Sequence, residues 1–208
     1  MADFNDSHWS KPEFSSNYVD NADNFIVQRS MMYNVMMSYY RYFIIGVSYN
    51  SQAAKARAIL DLGCGDGILT HMLLSIDNNA SATLADGSND MLEKARTRMK
   101  EFNNVKFLNA SFQEVIKDDL LPREFDFVVS SLAIHHLNMA EKASLFASIY
   151  NSLKIGGHFL NIDVVIAPCA AIEEWYMTLW KEWNHHRQVS LGMPTSYEHI
   201  PALYKSLS

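Results

Sequence analysis

The chain has 208 residues, 49% of them hydrophobic, and a formal net charge of −6 at pH 7. This length suits one domain with its own core. The negative charge, without a cluster of lysines or arginines, argues against a nucleic-acid-binding surface. No apolar stretch is long enough to predict a membrane span, and two cysteines, Cys64 and Cys169, predict no disulfide framework. We expect a soluble protein of the cytoplasm.

Helices precede an alternating pattern of strands and helices along the chain. Residues 24–47 predict one or two helices, because apolar side chains recur there at helical spacing. Strands are then predicted over 57–62, 81–86, 105–110, 125–131 and 158–166. Helices are predicted between them over 67–76, 88–102, 112–120 and 138–154, the last one ending at Gly156–Gly157. This alternation predicts an α/β fold with a doubly wound, mostly parallel sheet.

The C-terminal part departs from this alternation. Residues 168–188 predict an aromatic helix and residues 196–208 a further helical stretch, whereas no strand is predicted after Ile166. We therefore expect three regions within one domain. They are an N-terminal helical cap over 1–54, an α/β core over 55–167 and an aromatic helical segment over 168–208.

The stretch "AILDLGCGDGILTHM" (58–72) joins the first predicted strand to a helix through three alternating glycines. Glycines at the end of a parallel strand allow positive φ and a close approach of a ligand to the backbone. Asp86 ends the next strand, where a carboxylate can bind the ribose hydroxyls of a nucleotide. A dinucleotide and S-adenosylmethionine (SAM) are the two ligands that fit this pattern.

Spacing and charge both favour SAM over a dinucleotide. The dinucleotide fingerprint has its third glycine where this chain has Ile68. Asp61 lies just before the loop, and its carboxylate would repel a pyrophosphate. The same carboxylate suits SAM, which carries an ammonium and a sulfonium group and no phosphate.

Four stretches in order resemble the motifs of class I SAM-dependent methyltransferases. They are similar in particular to the motifs of ubiquinone/menaquinone methyltransferases. They are "ILDLGCGDG", "LADGSNDMLEKAR", "FDFVVSSLAIHHL" and "NSLKIGGHFLNID", and they lie between residues 55 and 166. The resemblance implies a Rossmann-like methyltransferase fold. It also implies SAM as the cofactor, which is converted to S-adenosylhomocysteine (SAH).

The resemblance implies roles for individual residues in and beside these motifs. The residues expected to bind SAM are Asp61, Gly63, Cys64, Gly65, Asp86, Gly87, Ser88, Ser111, Phe112 and Ser130. The first four would line the methionine end of SAM, and the next three would surround its ribose. Ser111 stands where the family often has an acidic residue near the adenine, and Phe112 would pack on the adenine ring. Ser130 ends the fourth strand, where backbone carbonyls meet the methionine ammonium.

The family adds a final antiparallel hairpin to the sheet, and no strands for it are predicted in this chain after Ile166. We therefore expect the hairpin to be missing or unusually arranged. The fifth strand would then be an exposed edge, which invites pairing with another chain. A homodimer or an exchanged assembly is the expected consequence.

His135 and His136 follow the fourth strand at the open end of the expected site and are the candidate catalytic bases. A base is needed only where the acceptor must lose a proton, and neutral histidine suits that task near pH 7. The alternative is that this pair packs and caps its loop without touching the acceptor.

Two groups of side chains are candidates for binding the acceptor. One lies near the N-terminus and the other on the aromatic helix: Tyr18, Arg29 and Tyr33, and Trp175, Tyr176 and Trp180. Aromatic faces can stack a ring or hold a cation, although helical spacing fits ordinary packing as well. His185 and His186 have no partner at metal-ligand spacing, so we expect no metal.

The expected function is methyl transfer from SAM to a small molecule by in-line displacement, with neither nucleic acid nor a membrane as partner. Two alternatives stay open. One is a SAM-modifying enzyme of the carboxy-SAM synthase type. The other is a methyltransferase-like protein without catalysis that acts as a binding or scaffold protein. The sequence leaves oxygen, nitrogen, sulfur and carbon all open as the acceptor atom.

Overall fold

A five-stranded parallel sheet forms the centre of the computed structural model, which describes residues 11, 19, 22, 26–46 and 56–192. Its strands are β1 (Ala58–Leu62), β2 (Ser81–Asp86), β3 (Val105–Asn109), β4 (Phe125–Ser131) and β5 (Leu153–Ile162). The α-helices are α1 (Arg29–Tyr39), α2 (Ile68–Ile76), α3 (Asn89–Arg98), α4 (Phe112–Lys117), α5 (Met139–Ser152) and α6 (Ala170–Ser190). A π-helical turn (Tyr40–Ile45) continues α1, and a 3-10 turn (Ile134–His136) follows β4.

The strand order β3-β2-β1-β4-β5 confirms the predicted doubly wound sheet. The chain proceeds from β1 to β2 and β3, then returns to place β4 on the other side of β1. The order therefore reverses between β1 and β4. In open α/β sheets, ligands bind beyond the carboxyl ends of the strands at such a reversal. The glycine loop that follows β1 lies at this position.

Alternating side chains of the strands build one hydrophobic cluster on each face of the sheet. Ile59 and Phe127 belong to the first cluster, with residues of α1, α2 and α3. Leu60 and Val128 belong to the second, with residues of α4 and α5. Because β1 and β4 are buried on both faces, apolar residues occupy successive positions in each, at 58–60 and at 127–129.

Helix α1 lies on the first face of the sheet and confirms a helix within residues 24–47. Tyr40, directly after α1, is fully buried, and the centroid of its ring lies 5.2 Å from that of Phe127. The Tyr40 hydroxyl donates to the Asp77 carboxylate at 2.7 Å, and the Arg57 guanidinium donates to both oxygens of that carboxylate. Arg57 precedes β1, so these contacts anchor the helix at the amino ends of the strands.

The boundary between α5 and β5 differs from the sequence-based prediction. The prediction ended the helix at Gly156–Gly157, which is wrong: α5 ends at Ser152, and both glycines lie inside β5. Leu153 already has an extended backbone (φ −76°, ψ 140°) and pairs with Phe125 of β4. A Cβ on Gly157 would lie 2.9 Å from the Phe125 carbonyl oxygen. This glycine therefore permits a close approach of two strands.

Beyond β5, the described chain contains one helix and no strand. β5 ends at Ile162 rather than at the predicted Ile166, and α6 confirms the predicted aromatic helix. Among the described residues, β5 pairs with β4 alone. The helical stretch predicted over 196–208 lies outside them. No helix within the described ranges is long and apolar enough to cross a membrane.

Candidate functional site

The glycine loop joins β1 to α2 at the carboxyl edge of the sheet. The N–H groups of Gly63 and Cys64 donate to the carbonyl oxygen of Ala85, at 2.8 and 3.1 Å, which holds the loop against β2. Gly63 has φ +68°, and a Cβ there would lie 2.4 Å from the Cβ of Ala133. Gly63 therefore lets the loop pack tightly against the segment that follows β4.

Gly65 is the open position of the loop. It has φ +54°, and an added Cβ would meet no described protein atom within 4 Å. Its N–H donates to the Asp86 carboxylate at 2.8 Å. The loop then ends at Gly67, which confirms the predicted start of the following helix. A ligand can therefore approach the backbone at Gly65 without meeting a side chain of the loop.

Asp86 ends β2 directly beside Gly65. Its Oδ2 accepts from the N–H of Gly65 and its Oδ1 accepts from the N–H of Ser88, both at 2.8 Å. Burial raises the pKa of Asp86, and these two hydrogen bonds oppose the rise. Each carboxylate oxygen keeps a second lone pair, so the side chain can accept two further hydrogen bonds from a vicinal diol.

The residues after Asp86 are fixed by the next turn of the chain. The carbonyl oxygen of Gly87 accepts from the Asn109 side-chain amide at 3.3 Å. The Ser88 hydroxyl accepts from the N–H of Met91 at 3.4 Å and thereby caps α3. The loop around Asp86 is therefore held by hydrogen bonds on both sides.

Asp61 lies at the end of β1 and is only 2% exposed. The hydroxyl of Thr70 donates to its Oδ2 at 2.6 Å. Burial raises the pKa of Asp61 to about 7 against this hydrogen bond, and the nearby Asp86 and Asp66 add to the rise. Asp66 has its own partner in Arg98. The loop therefore brings the carboxylates of Asp61 and Asp86 together, an arrangement that favours a cation and repels a phosphate.

The residues expected at the adenine and at the end of β4 have different surroundings. Ser111 caps α4: its hydroxyl donates to a Glu114 carboxylate oxygen at 2.7 Å and accepts from the Glu114 N–H at 3.2 Å. The Phe112 ring reaches the glycine loop, with its Cζ 3.1 Å from a Cβ built on Gly63. The Ser130 hydroxyl donates to the carbonyl oxygen of Leu62 at 2.7 Å and joins β4 to β1.

One N-terminal candidate, Tyr33, lies near Asp61 and contacts a second candidate, Arg29. Arg29 donates to the Tyr33 hydroxyl at 3.2 Å, and its guanidinium carbon lies 5.1 Å from the Tyr33 ring centroid. Burial raises the pKa of Tyr33, and Arg29, Ser131 and Asp61 are near enough to act on it. The structure therefore brings Arg29 and Tyr33 to the carboxyl ends of β1 and β4. Tyr18 lies outside the described residues.

His135 and His136 lie in the 3-10 turn after β4. Leu132 turns the chain with φ +55°, and its N–H donates to the carbonyl oxygen of Ile162 at 2.8 Å. Asp163, the residue directly after β5, lies with its Oδ1 2.5 Å from the Nδ1 of His135. Sequence reasoning missed Asp163. The available signal was its position, because parallel strands β4 and β5 end at the same edge of the sheet.

Comparison with known proteins agrees with this geometry. Residues 59–157 match the family described as "Methyltransferase domain". Over these residues the chain is similar to a methyltransferase domain. Its resemblance to class I SAM-dependent methyltransferases, predicted from four motifs, is thereby confirmed.

Relatives of this methyltransferase domain have several activities. It is 30% identical over 84 residues to malonyl-[acyl-carrier protein] O-methyltransferase of Halalkalibacterium halodurans, covering 40% of this chain and 31% of that protein. It is 28% identical over 171 residues to carboxy-S-adenosyl-L-methionine synthase of Helicobacter pylori, covering 79% of this chain and 67% of that protein. The chain thus spans about a third of the first relative and two thirds of the second.

Solved structures support the same fold. The plantazolicin methyltransferase BpumL, in complex with SAH, has a TM-score of 0.54 and 19% sequence identity to this chain. The match covers 75% of this chain and 55% of that one. It confirms the Rossmann-like architecture of the methyltransferase domain.

The aromatic candidates for acceptor binding lie on α6, the helix that follows β5. Trp175 and Tyr176 are exposed, and their ring centroids lie 5.4 Å apart. The carbonyl oxygen of Trp180 accepts from the Asn184 side chain within the same helix. Their role in acceptor binding stays a prediction.

Proposed function

We propose that this chain binds SAM at the glycine loop and transfers its methyl group to a small-molecule acceptor, releasing SAH. The pair formed by Gly65 and Asp86 carries the proposal. An open backbone lies beside a carboxylate that already accepts one hydrogen bond on each oxygen and has capacity for two more. This pairing suits a ribose with two adjacent hydroxyls.

The charges and shapes around the loop support SAM over other nucleotides. Asp61 and Asp86 place negative charge where a pyrophosphate would be repelled and a sulfonium and an ammonium would be attracted. The Phe112 ring beside Gly63 offers an apolar face for an adenine. The Ser111 hydroxyl is engaged in the cap of α4, so the adenine contact of this proposal rests on Phe112.

When bound, SAM supplies a methyl group on a sulfonium, which is a good leaving group. The tasks of this chain are then to bind, to orient the acceptor and to exclude water. In this proposal Asp86 holds the ribose, and Asp61 provides the charge that attracts the methionine end. Tyr33 and Arg29 of α1 cover the carboxyl ends of β1 and β4, where the acceptor would approach.

The wider setting of the protein belongs to the same proposal. The net charge of −6 supports a small-molecule acceptor over a nucleic acid. The division into a cap (1–54), a core (55–167) and an aromatic segment (168–208) is supported by the position of α1 on the sheet and by the exposed aromatic rings of α6. The outer edge of β5, unpaired among the described residues, supports a homodimer. Two free thiols support a reducing, cytoplasmic setting.

Calorimetric titration with SAM and SAH tests the cofactor site. We expect Asp86→Ala to weaken binding about ten-fold or more, because the lost hydrogen bonds to the ribose hydroxyls cost about 1.5–3 kcal/mol. Glu93→Ala, an exposed carboxylate on α3, is the matched control and should bind like the wild type. A folded wild-type chain that binds neither ligand would contradict the proposal and would favour the scaffold alternative.

A carboxy-SAM synthase activity is the second candidate, because the Helicobacter pylori synthase matches 79% of this chain. Incubation with SAM and prephenate separates the two functions. Formation of carboxy-SAM detected by mass spectrometry would favour the synthase. Unchanged SAM in that mixture, together with methyl transfer to another acceptor, would favour the methyltransferase.

A further inference from the structure

We propose that His135 and Asp163 form a proton-accepting pair, in which Asp163 positions His135 and the Nε2 of His135 takes the proton of the acceptor. The inference rests on the proposed function and narrows it. The acceptor is then a small molecule whose attacking atom carries a proton. The attacking group is a hydroxyl or an amine. An acceptor that attacks without losing a proton would have no use for this pair.

Two neighbouring strands bring the pair together. Asp163 directly follows β5, and His135 lies in the turn that follows β4. The side chains of His135 and Asp163 are 11% and 10% exposed, and their Nδ1 and Oδ1 atoms lie 2.5 Å apart. A hydrogen bond this sheltered from water keeps its partners in one arrangement.

Backbone hydrogen bonds fix Asp163 independently of the imidazole. Its Oδ2 accepts from the N–H of His135 and its Oδ1 from the N–H of Val164, both at 2.9 Å. Burial alone would raise the pKa of Asp163, but the hydrogen bonds from His135 and Val164 lower it overall. The aspartate therefore stays ionised near pH 7 and accepts a proton-bearing Nδ1. This tautomer leaves Nε2 of His135 as the proton acceptor.

The pair lies next to the glycine loop. Ala133, two residues before His135, is the residue whose Cβ would meet a side chain on Gly63 at 2.4 Å. The turn that carries His135 is therefore packed against the loop proposed to hold the methionine end of SAM. Leu132 enters this turn with φ +55°, a conformation that non-glycine residues adopt mainly where function or tight packing requires it.

His136 and Lys142 are the charged or titratable neighbours that bear on the pair. The His136 ring centroid lies 4.0 Å from that of His135, and Lys142 of α5 is near enough to act on His136. His136 is exposed, whereas the hydrogen bond with Asp163 is made by His135. The carboxylate contact therefore distinguishes His135 as the base.

The proposed step forms one bond, breaks one bond and moves one proton. A lone pair of the acceptor oxygen or nitrogen forms the new bond to the methyl carbon, and the electrons of the broken carbon–sulfur bond stay on the sulfur as a neutral thioether. The acceptor proton passes to Nε2 of His135. The imidazolium is stabilised by Asp163 and returns its proton to solvent after product release.

Nuclear magnetic resonance of protein with ¹⁵N-labelled histidine tests the pairing without any acceptor. We expect the His135 ring as the Nδ1–H tautomer, with a downfield Nδ1 proton. Asp163→Asn should abolish that proton signal and mix the tautomers, while the SAH dissociation constant changes by no more than about twofold. A tautomer that is the same in wild type and Asp163→Asn would overturn the positioning role.

The position of the base is tested with SAM that carries a ¹³C-labelled methyl group. We expect a nuclear Overhauser contact between this methyl group and a carbon-bound ring proton of His135. His71, which pairs with Glu101 at 2.9 Å on an exposed part of α2, is the matched histidine–carboxylate control and should give none. Bound SAM with no contact to His135, or with contact to His136 instead, overturns this inference alone. Failure of SAM to bind would contradict the proposed function itself.

Discussion

The carboxylate of Asp61 gives the folded protein an unusual dependence on pH. Its pKa is raised from 3.8 to about 7 by burial, so the folded state holds a proton that the unfolded chain releases between these values. A raised aspartate pKa means that the free energy of unfolding falls as pH rises from about 4 to about 7. At neutral pH and above, Asp61 therefore destabilises the protein without its ligand.

We predict that Asp61→Asn stabilises the ligand-free protein, by roughly 2–4 kcal/mol at pH 8 and by less at pH 5. The asparagine oxygen still accepts from the Thr70 hydroxyl, so the local packing is preserved. Urea unfolding at both pH values measures the effect, with the exposed Asp118→Asn as control. The same variant should bind SAM more weakly. If the variant were less stable than the wild type at both pH values, the raised pKa of Asp61 would be refuted.

Gly65 and Gly156 both have positive φ, so comparing their alanine variants distinguishes an effect on ligand binding from the effect of backbone strain. Gly65 and Gly156 have φ +54° and φ +80°, and an added Cβ at either meets no described atom within 4 Å. We predict that each alanine variant loses about 1 kcal/mol of stability, because both positions favour glycine. Only Gly65→Ala should also lose SAH binding in calorimetry. Equal SAH affinities of the two variants would show that the backbone at Gly65 is not in contact with the ligand.

Among the elements, the strands and helix starts of the core follow from local pattern. β2 and β4 have the bounds that the sequence predicts, and α4 begins at Phe112 as predicted. The end of α5 was missed because a glycine pair resembles a helix stop, whereas Gly157 is needed for contact between strands. Asp163 was missed as a partner of His135 because no local pattern reports the pairing of residues 28 apart in sequence.

Helix α1 depends on an anchor that its own sequence does not reveal. The Tyr40 hydroxyl donates to Asp77 at 2.7 Å inside the protein. We predict that Tyr40→Phe lowers the free energy of unfolding by about 1–2 kcal/mol, because a buried hydrogen bond is lost and the ring packing is kept. Tyr150→Phe, an exposed tyrosine on α5, is the control for urea unfolding. Equal stability of the two variants would mean that the contact with Asp77 does not hold the helix.

At the scale of the whole molecule, the ends of four parallel strands bring the proposed functional side chains to one edge of the sheet. β1 and β2 supply the carboxylates proposed to bind SAM. β4 and β5 lead into the pair of His135 and Asp163, which is proposed to accept a proton. The sequence pattern predicted this edge of the sheet as the site, since the glycine loop follows β1 and Asp86 ends the neighbouring β2. None of these motifs identifies the acceptor.

Transfer of label from methyl-tritiated SAM into a small-molecule extract tests whether this chain methylates a small molecule. The account predicts that the wild-type protein forms SAH and moves the label into molecules below about 1 kDa, in the size range of ligands that small pockets bind. Asp86→Ala should lose this transfer, and Glu93→Ala should keep it. SAH formation that Asp86→Ala leaves unchanged, label that enters only macromolecules, or a folded protein that forms no SAH would contradict the account.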